Sequence, residues 1–299
     1  MREVHISSSA DGKIQPAMFY APRGTLGPKA KPAPLLVALH QWSHGFDIPS
    51  VQGDYLSEVR KRGWVFIHPH FRGRNDNPLA CASDLAVQDV LDAVAFARAN
   101  ASVDPKRIYL LGVSGGGHMT LMMVSKAPKL WAAASVWVPI FDLVKWHAET
   151  KLAGRIYWKM LEAVCGGPPG KSRTIDAQYR HRSPRTYLRK AAGLPMDINA
   201  GIHDGHTGSV PILHSLLAFN VLAAANGKKE KQIPQADIRH MAEKECVPLN
   251  IAYRGKETDR KHAILFRRQA GPARVTIFEG GHEFDPAAAF AWLATRRKQ

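Results

Sequence analysis

The stretch from Leu110 to Met119 constrains the fold of this chain most strongly, because it places a serine between closely spaced glycines. The motif Gly112-Val-Ser114-Gly-Gly116 follows a short apolar run typical of a buried strand and precedes a run of good helix formers. Glycine permits the strained backbone of a sharp strand-to-helix turn and close packing beside it. A serine on such a turn is predicted to be a nucleophile that lies beside the free N–H groups of a helix N-terminus.

The order of the predicted elements indicates an α/β fold with a mainly parallel central sheet. Apolar runs at residues 35–39, 64–67 and 107–111 have the length and composition of strands buried on both faces. Helix-forming segments separate these runs, and the one around residues 87–94 is amphipathic. Such alternation predicts helices on both faces of the sheet. Residues 3–20 are predicted to form an antiparallel hairpin at its edge.

We predict one domain over residues 1–299 with two additions to the core. The segment 141–190 is rich in aromatic residues and is expected to form a small helical cap over the sheet. The segment 228–268 is basic and irregular and is expected to be a second insertion. Trp146 and Trp158, in the cap, are predicted substrate contacts that stack on sugar or aryl rings, with ordinary packing as the alternative role.

The composition limits the classes of partner. The chain has 41 Lys and Arg against 25 Asp and Glu, a net charge of +16, and 45% hydrophobic residues. The basic residues are scattered and follow no nucleic-acid-binding pattern, and no apolar run reaches the roughly 18 residues of a membrane span. We therefore expect neither nucleic acid nor membrane as a partner. The first residues lack the apolar core of a signal peptide. The compartment stays open between a secreted or periplasmic location, with the signal outside this sequence, and the cytoplasm.

Residues after two later predicted strands can activate the serine. Open α/β sheets hold their active sites at the carboxyl ends of their strands. Asp204 follows a strand that ends at Ile202, and His282 follows a strand that ends at Phe278. We therefore predict that His282 takes the proton of Ser114 as general base, while Asp204 orients the imidazole and stabilises its charged form.

Other residues compete for the roles of acid and base. Asp142 follows the preceding strand and is the main alternative acid, whereas Asp197 lies inside a predicted strand. His262 is an alternative base in an irregular stretch. His203 and His206 flank the predicted acid, but their spacing does not make a convincing ligand set. The three cysteines lie far apart, without a C-x-x-C pair, so we predict no metal and no cofactor.

Stabilisation of the oxyanion that develops during the reaction requires two N–H donors. The amide of Gly115 is predicted to be one, and an amide from the loop after residues 35–39 is predicted to be the other. Gln41 and Trp42 remain equal alternatives for this second donor. His44 and Arg72 are further predicted substrate contacts.

Together these motifs resemble the catalytic domain of the prolyl oligopeptidase family, within the α/β-hydrolase superfamily. The resemblance extends from about residue 33 to the C-terminus. The matching motifs are Leu39-His40, Phe71-Arg72-Gly73, the helix through Asp89, Asp104-Pro105-Lys-Arg-Ile108, Gly112-Val-Ser-Gly-Gly116, Gly201-Ile-His-Asp204 with Val210-Pro211, and Gly280-Gly-His282. The same domain is similar to many carboxylesterases, including acetyl-xylan and feruloyl esterase types. The resemblance thus implies a serine hydrolase that forms an acyl-enzyme intermediate.

Departures from the family pattern bear on the substrate. His40-Gln41 stands where related sequences usually have His-Gly, and both the spacing from Asp204 to Val210 and the interval to His282 are long. Peptidases of the family carry a large β-propeller, for which this chain has no room. We therefore expect a small-molecule or carbohydrate ester as substrate. A peptidase or amidase is the alternative function, followed by a non-catalytic binding protein.

Overall fold

Nine strands form one sheet in the computed structural model, which describes residues 1–47, 51–255, 257 and 260–299. In chain order they are β1 (Arg2–Ser7), β2 (Ile14–Tyr20), β3 (Ala33–Leu39), β4 (Val65–Pro69), β5 (Val103–Val113), β6 (Ala133–Trp137), β7 (Met196–Gly201), β8 (Ile264–Ala270) and β9 (Ala273–Phe278). Their spatial order is β1-β2-β4-β3-β5-β6-β7-β9-β8.

The centre of the sheet is parallel and its edges are antiparallel. The strands β4, β3, β5, β6, β7 and β9 pair in parallel, whereas β1, β2 and β8 run antiparallel to their neighbours. Every residue of β3, β4, β6 and β7 is buried, as the continuous apolar runs predict for strands covered on both faces. The predicted α/β-hydrolase fold is confirmed. The sequence analysis did not predict β8.

Nine α-helices accompany the sheet in the described part of the chain. They are α1 (Leu56–Arg62), α2 (Asp84–Asn100), α3 (Gly115–Lys126), α4 (Leu143–Leu152), α5 (Tyr157–Cys165), α6 (Arg173–Arg182), α7 (Leu213–Ala225), α8 (Gln235–Lys244) and α9 (Pro286–Ala294). Helices α1 and α9 pack together, whereas α2 and α3 form a separate pair. No helix of the described residues is long and apolar enough to cross a membrane.

The two segments predicted as additions to the core differ in structure. Residues 141–190 contain α4, α5 and α6, which bury an aromatic and aliphatic cluster that also includes Trp42 and Val210. Residues 228–268 contain α8, but from residue 264 onward the chain forms the edge strand β8. The last residues of the predicted insertion thus pair with β9 at the edge of the sheet. Residues 256, 258 and 259 of this segment lie outside the described part.

Candidate active site

Ser114 lies on a strained turn between β5 and α3, with φ 58° and ψ −117°. The turn brings several backbone segments very close together. A Cβ atom added to Gly112 would lie 2.1 Å from the carbonyl oxygen of Gly116, and one added to Gly116 would lie 2.1 Å from that of Leu39. Because real Cβ atoms are never found at such distances, only glycine fits either position. The strain at Ser114 is therefore held by its surroundings, as at many functional turns.

Asp204 and His282 lie at the same edge of the sheet, after β7 and β9. The His282 Nδ1 atom is 2.8 Å from Asp204 Oδ2, and the side chain of Asp204 is completely buried. The other carboxylate oxygen accepts the backbone N–H of Val210 at 3.1 Å. An ionised carboxylate only accepts hydrogen bonds, so Nδ1 of His282 carries the proton of this bond, and Nε2 is the ring nitrogen left for the nucleophile. In the described residues, no hydrogen bond joins the Ser114 hydroxyl to His282.

The long spacing between Asp204 and Val210 has a structural explanation. Residues between them form a loop that turns back over the carboxylate, and Gly208 is its closest point. A Cβ atom on Gly208 would lie 2.1 Å from Asp204 Oδ1 and 2.7 Å from His282 Cβ. Gly208 was not among the predicted site residues, although the unusual spacing from Asp204 to Val210 was a signal for it.

The alternative acid Asp142 has a different role, at the N-terminus of α4. Its Oδ1 accepts the backbone N–H groups of Val144 and Lys145, which makes it the N-cap of the helix. Its Oδ2 accepts a hydrogen bond from Arg185 at 2.6 Å. Both oxygens of Asp142 are therefore engaged elsewhere, and the carboxylate that pairs with His282 is that of Asp204.

The remaining alternatives are also paired elsewhere. Asp197 is buried in β7 and binds Arg274 at 2.6 Å. His262 lies 2.7 Å from a carboxylate oxygen of Glu283. The partners of Asp197 and His262 are thus Arg274 and Glu283, not Asp204 or His282.

The two predicted sources of the second oxyanion donor differ in their contact with the turn. A Cβ atom on Gly115 would lie 2.3 Å from the backbone nitrogen of Trp42 and 2.5 Å from its Cα. The amide of Trp42 therefore approaches the residue directly after Ser114. Gln41 is half-buried in the loop after β3.

Comparisons with known proteins identify the family of the chain. A model of the prolyl oligopeptidase family matches residues 50–247, which include Ser114 and Asp204. The chain belongs to the prolyl oligopeptidase family. It is therefore a serine hydrolase, and the predicted family resemblance is confirmed. No relative was found among curated proteins.

Solved structures show the same fold at low sequence identity. An acylaminoacyl peptidase from Pyrococcus horikoshii is 16% identical, with a TM-score of 0.60, and the match covers 98% of this chain and 39% of that one. A prolyl oligopeptidase B from Galerina marginata is 19% identical, with a TM-score of 0.56, over 76% of this chain and 31% of that one. The hydrolase thus spans about two-fifths or less of the length of these structures.

Trp146 does not have the exposure that its predicted stacking on substrate requires. The residue is 1% exposed, its ring centre lies 4.7 Å from that of Trp42, and it stacks on Tyr157 at 5.0 Å. Its Nε1–H donates to the backbone oxygen of Ser209 at 2.8 Å. The prediction was wrong because the indole is enclosed, and Trp146 instead packs the cap against the loop that follows Asp204.

Arg72 is likewise a structural residue. Its Nε donates to Asp89 at 2.6 Å, its Nη1 donates to Asp11 at 2.7 Å, and its Nη2 donates to Ser8 at 2.9 Å. The side chain is 3% exposed, so it has no surface to offer to a substrate. The predicted substrate contact was wrong, because Arg72 ties the β1–β2 hairpin to α2.

The other two predicted substrate contacts remain predictions. Trp158 is half-buried in α5, where the ammonium groups of Lys151 and Lys159 lie over its ring. His44 is exposed in the loop after β3.

Potential metal ligands and cysteines in the described part of the chain form neither a metal-binding group nor a disulfide. The described residues contain no group of three or more His, Cys, Asp or Glu arranged to hold a metal ion. All three cysteines are free thiols, of which Cys81 and Cys165 are buried and Cys246 is exposed.

Proposed function

We propose that this hydrolase cleaves carboxylic esters with short acyl groups through an acyl-enzyme intermediate. The observation that carries the proposal is the 2.8 Å hydrogen bond between His282 and buried Asp204 at the sheet edge where Ser114 occupies its strained turn. This arrangement supplies a nucleophile, a base and an orienting carboxylate in the chain order of α/β-hydrolases.

The reaction follows from the roles of these groups. The Ser114 hydroxyl attacks the ester carbonyl while Nε2 of His282 removes its proton, and Asp204 stabilises the resulting imidazolium. The backbone N–H groups of Gly115 and Trp42 stabilise the oxyanion of the tetrahedral intermediate. His282 then returns the proton to the departing alcohol. Water, activated by the same base, releases the acid from the serine.

A short acyl group is supported by the packing beside the turn. Trp42 lies against Gly115 and packs on Trp146, and both indoles are almost fully buried. Tyr157 stacks on the far partner, Trp146. A cavity of about 500 Å³ between α4, α7 and α8 is lined by Asp204 but not by Ser114. We therefore expect acetyl-sized acyl groups to react best, with a sugar or another alcohol as the leaving group.

The test is hydrolysis of p-nitrophenyl esters from acetate to octanoate. We expect turnover of the acetate ester that falls as the acyl chain lengthens, and no turnover by Ser114→Ala. Ser125→Ala is a matched control, because Ser125 lies in α3, the helix that follows Ser114, and among the described residues its hydroxyl bonds only to the backbone oxygen of Leu121. Ester hydrolysis that persists in Ser114→Ala would contradict the proposal.

A peptidase or amidase is the second candidate, favoured by the family and by the names of the two peptidase structures above. It uses the same three residues, so mutation does not distinguish it. An amidase is distinguished from an esterase by comparing p-nitrophenyl esters with p-nitroanilides of the same acyl-amino acids. A higher kcat/KM on the anilides would establish the amidase. No turnover of either class would leave a binding function.

A further inference from the structure

His203, directly before Asp204, makes a hydrogen bond from each ring nitrogen to a different carboxylate. Its Nδ1 lies 2.7 Å from an oxygen of Glu245, and its Nε2 lies 2.7 Å from an oxygen of Glu279. Because carboxylates only accept hydrogen bonds, both nitrogens must carry a proton for both bonds to form. The arrangement therefore requires the imidazolium form of His203.

The two carboxylates come from parts of the chain that are distant in sequence. Glu245 directly follows α8, where it has a left-handed φ of 50°. Glu279 directly follows β9, in the loop that carries His282. The backbone N–H of His203 also donates to the oxygen of Gly280 in that loop, at 3.0 Å. His203 thus joins three parts of the chain: the loop that carries Asp204 (the acid loop), the loop that carries His282, and the segment that contains α8.

We propose that His203 is a positioning residue, whose imidazolium holds the loop of Asp204 and the loop of His282 at the separation that proton transfer needs. The inference rests on the proposed function, because only a catalytic Asp204–His282 pair makes this separation matter for the rate. A small displacement of a base from its nucleophile is enough to slow a reaction strongly.

The charges around His203 favour its protonated form. The hydrogen bonds that His203 donates to Glu245 and Glu279 raise its pKa above the ordinary value, and partial burial opposes them less strongly. His206 faces the same cluster, with Nδ1 3.5 Å from Glu245 and Nε2 2.7 Å from the backbone oxygen of Ala242. Because the pKa is raised, both hydrogen bonds of His203 are fully formed below the ordinary histidine pKa. They are lost as the pH rises through the raised pKa.

The experiment compares pH profiles of kcat and KM on p-nitrophenyl acetate for wild type, His203→Gln and Glu245→Gln. We expect kcat of the wild type to decline at alkaline pH as His203 loses its proton. The Glu245→Gln variant is expected to decline at lower pH, because one of the two carboxylates that raise the pKa is gone. His203→Gln is expected to lose about tenfold in kcat at neutral pH, with a smaller change in KM and without the alkaline decline.

His5→Gln is the matched control, because His5 also pairs with a glutamate, Glu3 at 3.2 Å, but lies on the edge strand β1. Its profile is expected to match the wild type. A His203→Gln profile equal to the wild type, with Ser114→Ala inactive, would overturn the positioning role and leave the proposed function intact. Activity in Ser114→Ala would overturn the proposed function itself. If His203→Gln does not fold, the Glu245→Gln variant provides the test. An alkaline decline of its kcat at the same pH as in the wild type would contradict the inference.

Discussion

Trp146 in the cap donates a hydrogen bond to the backbone oxygen of Ser209, five residues after Asp204 along the chain. The cap helix α4 therefore supports the loop that turns back over the carboxylate. The same indole packs edge-on against Trp42, whose amide lies against Gly115. Thus one buried side chain contacts both the acid loop and the loop that supplies the proposed oxyanion donor.

Trp146→Ala is expected to lower the free energy of unfolding by about 3–5 kcal/mol, because it removes a large aromatic side chain from a packed cluster. Trp146→Phe keeps a ring but removes the N–H donor, so it should lower kcat while costing less stability. Urea unfolding and ester kinetics measure the two effects. Unchanged kcat in Trp146→Phe would show that the bond to Ser209 does not affect the acid loop.

Gly208→Ala is expected to reduce kcat by about a hundredfold, because the new methyl group would collide with Asp204 Oδ1 and push the carboxylate away from His282. Gly24→Ala is the matched control, since an added Cβ there meets nothing within 4 Å. Ester kinetics of both variants test the prediction. Equal kcat values for the two would mean that the loop relaxes without moving Asp204.

Arg72→Met should destabilise the protein by about 3–5 kcal/mol, because it leaves the buried carboxylate of Asp89 without its charged partner. Its kcat/KM, measured on folded protein, should remain close to that of the wild type. Denaturant unfolding and ester kinetics on the same sample separate these effects. A loss of kcat/KM without a loss of stability would restore the substrate-binding role that the sequence suggested.

The bond between Asp11 and Arg72 is expected to make stability depend on pH in the acid range. The Arg72 guanidinium lowers the pKa of Asp11 from 3.8 to about 2. A lowered carboxyl pKa contributes stability that is present above the ordinary value and is lost as the pH falls through the lowered one. The melting temperature of the wild type should therefore decrease as the pH is lowered from 3.8 to about 2. Asp11→Asn should show a shallower fall, and parallel curves would argue against this contribution.

Local patterns were sufficient to predict the architecture. The apolar runs at residues 35–39 and 64–67 became the buried strands β3 and β4, and the glycines around Ser114 became the close-packed turn before α3. These predictions hold because burial on both faces and a sharp turn each restrict the residues that fit a position. The edge strand β8 escaped notice, since its burial is mixed and its pairing with β9 depends on the rest of the sheet.

The amino-acid sequence alone was enough to predict the α/β architecture, the position of the serine turn and the order of Ser114, Asp204 and His282 along the chain. Which acid meets which base became known from the folded structure, because Asp142 and Asp204 both follow strands and differ in their partners. The folded structure likewise encloses Trp146 and Arg72, which the sequence suggested as substrate contacts. Exposure and pairing of a side chain depend on segments distant in sequence, and no local pattern records them.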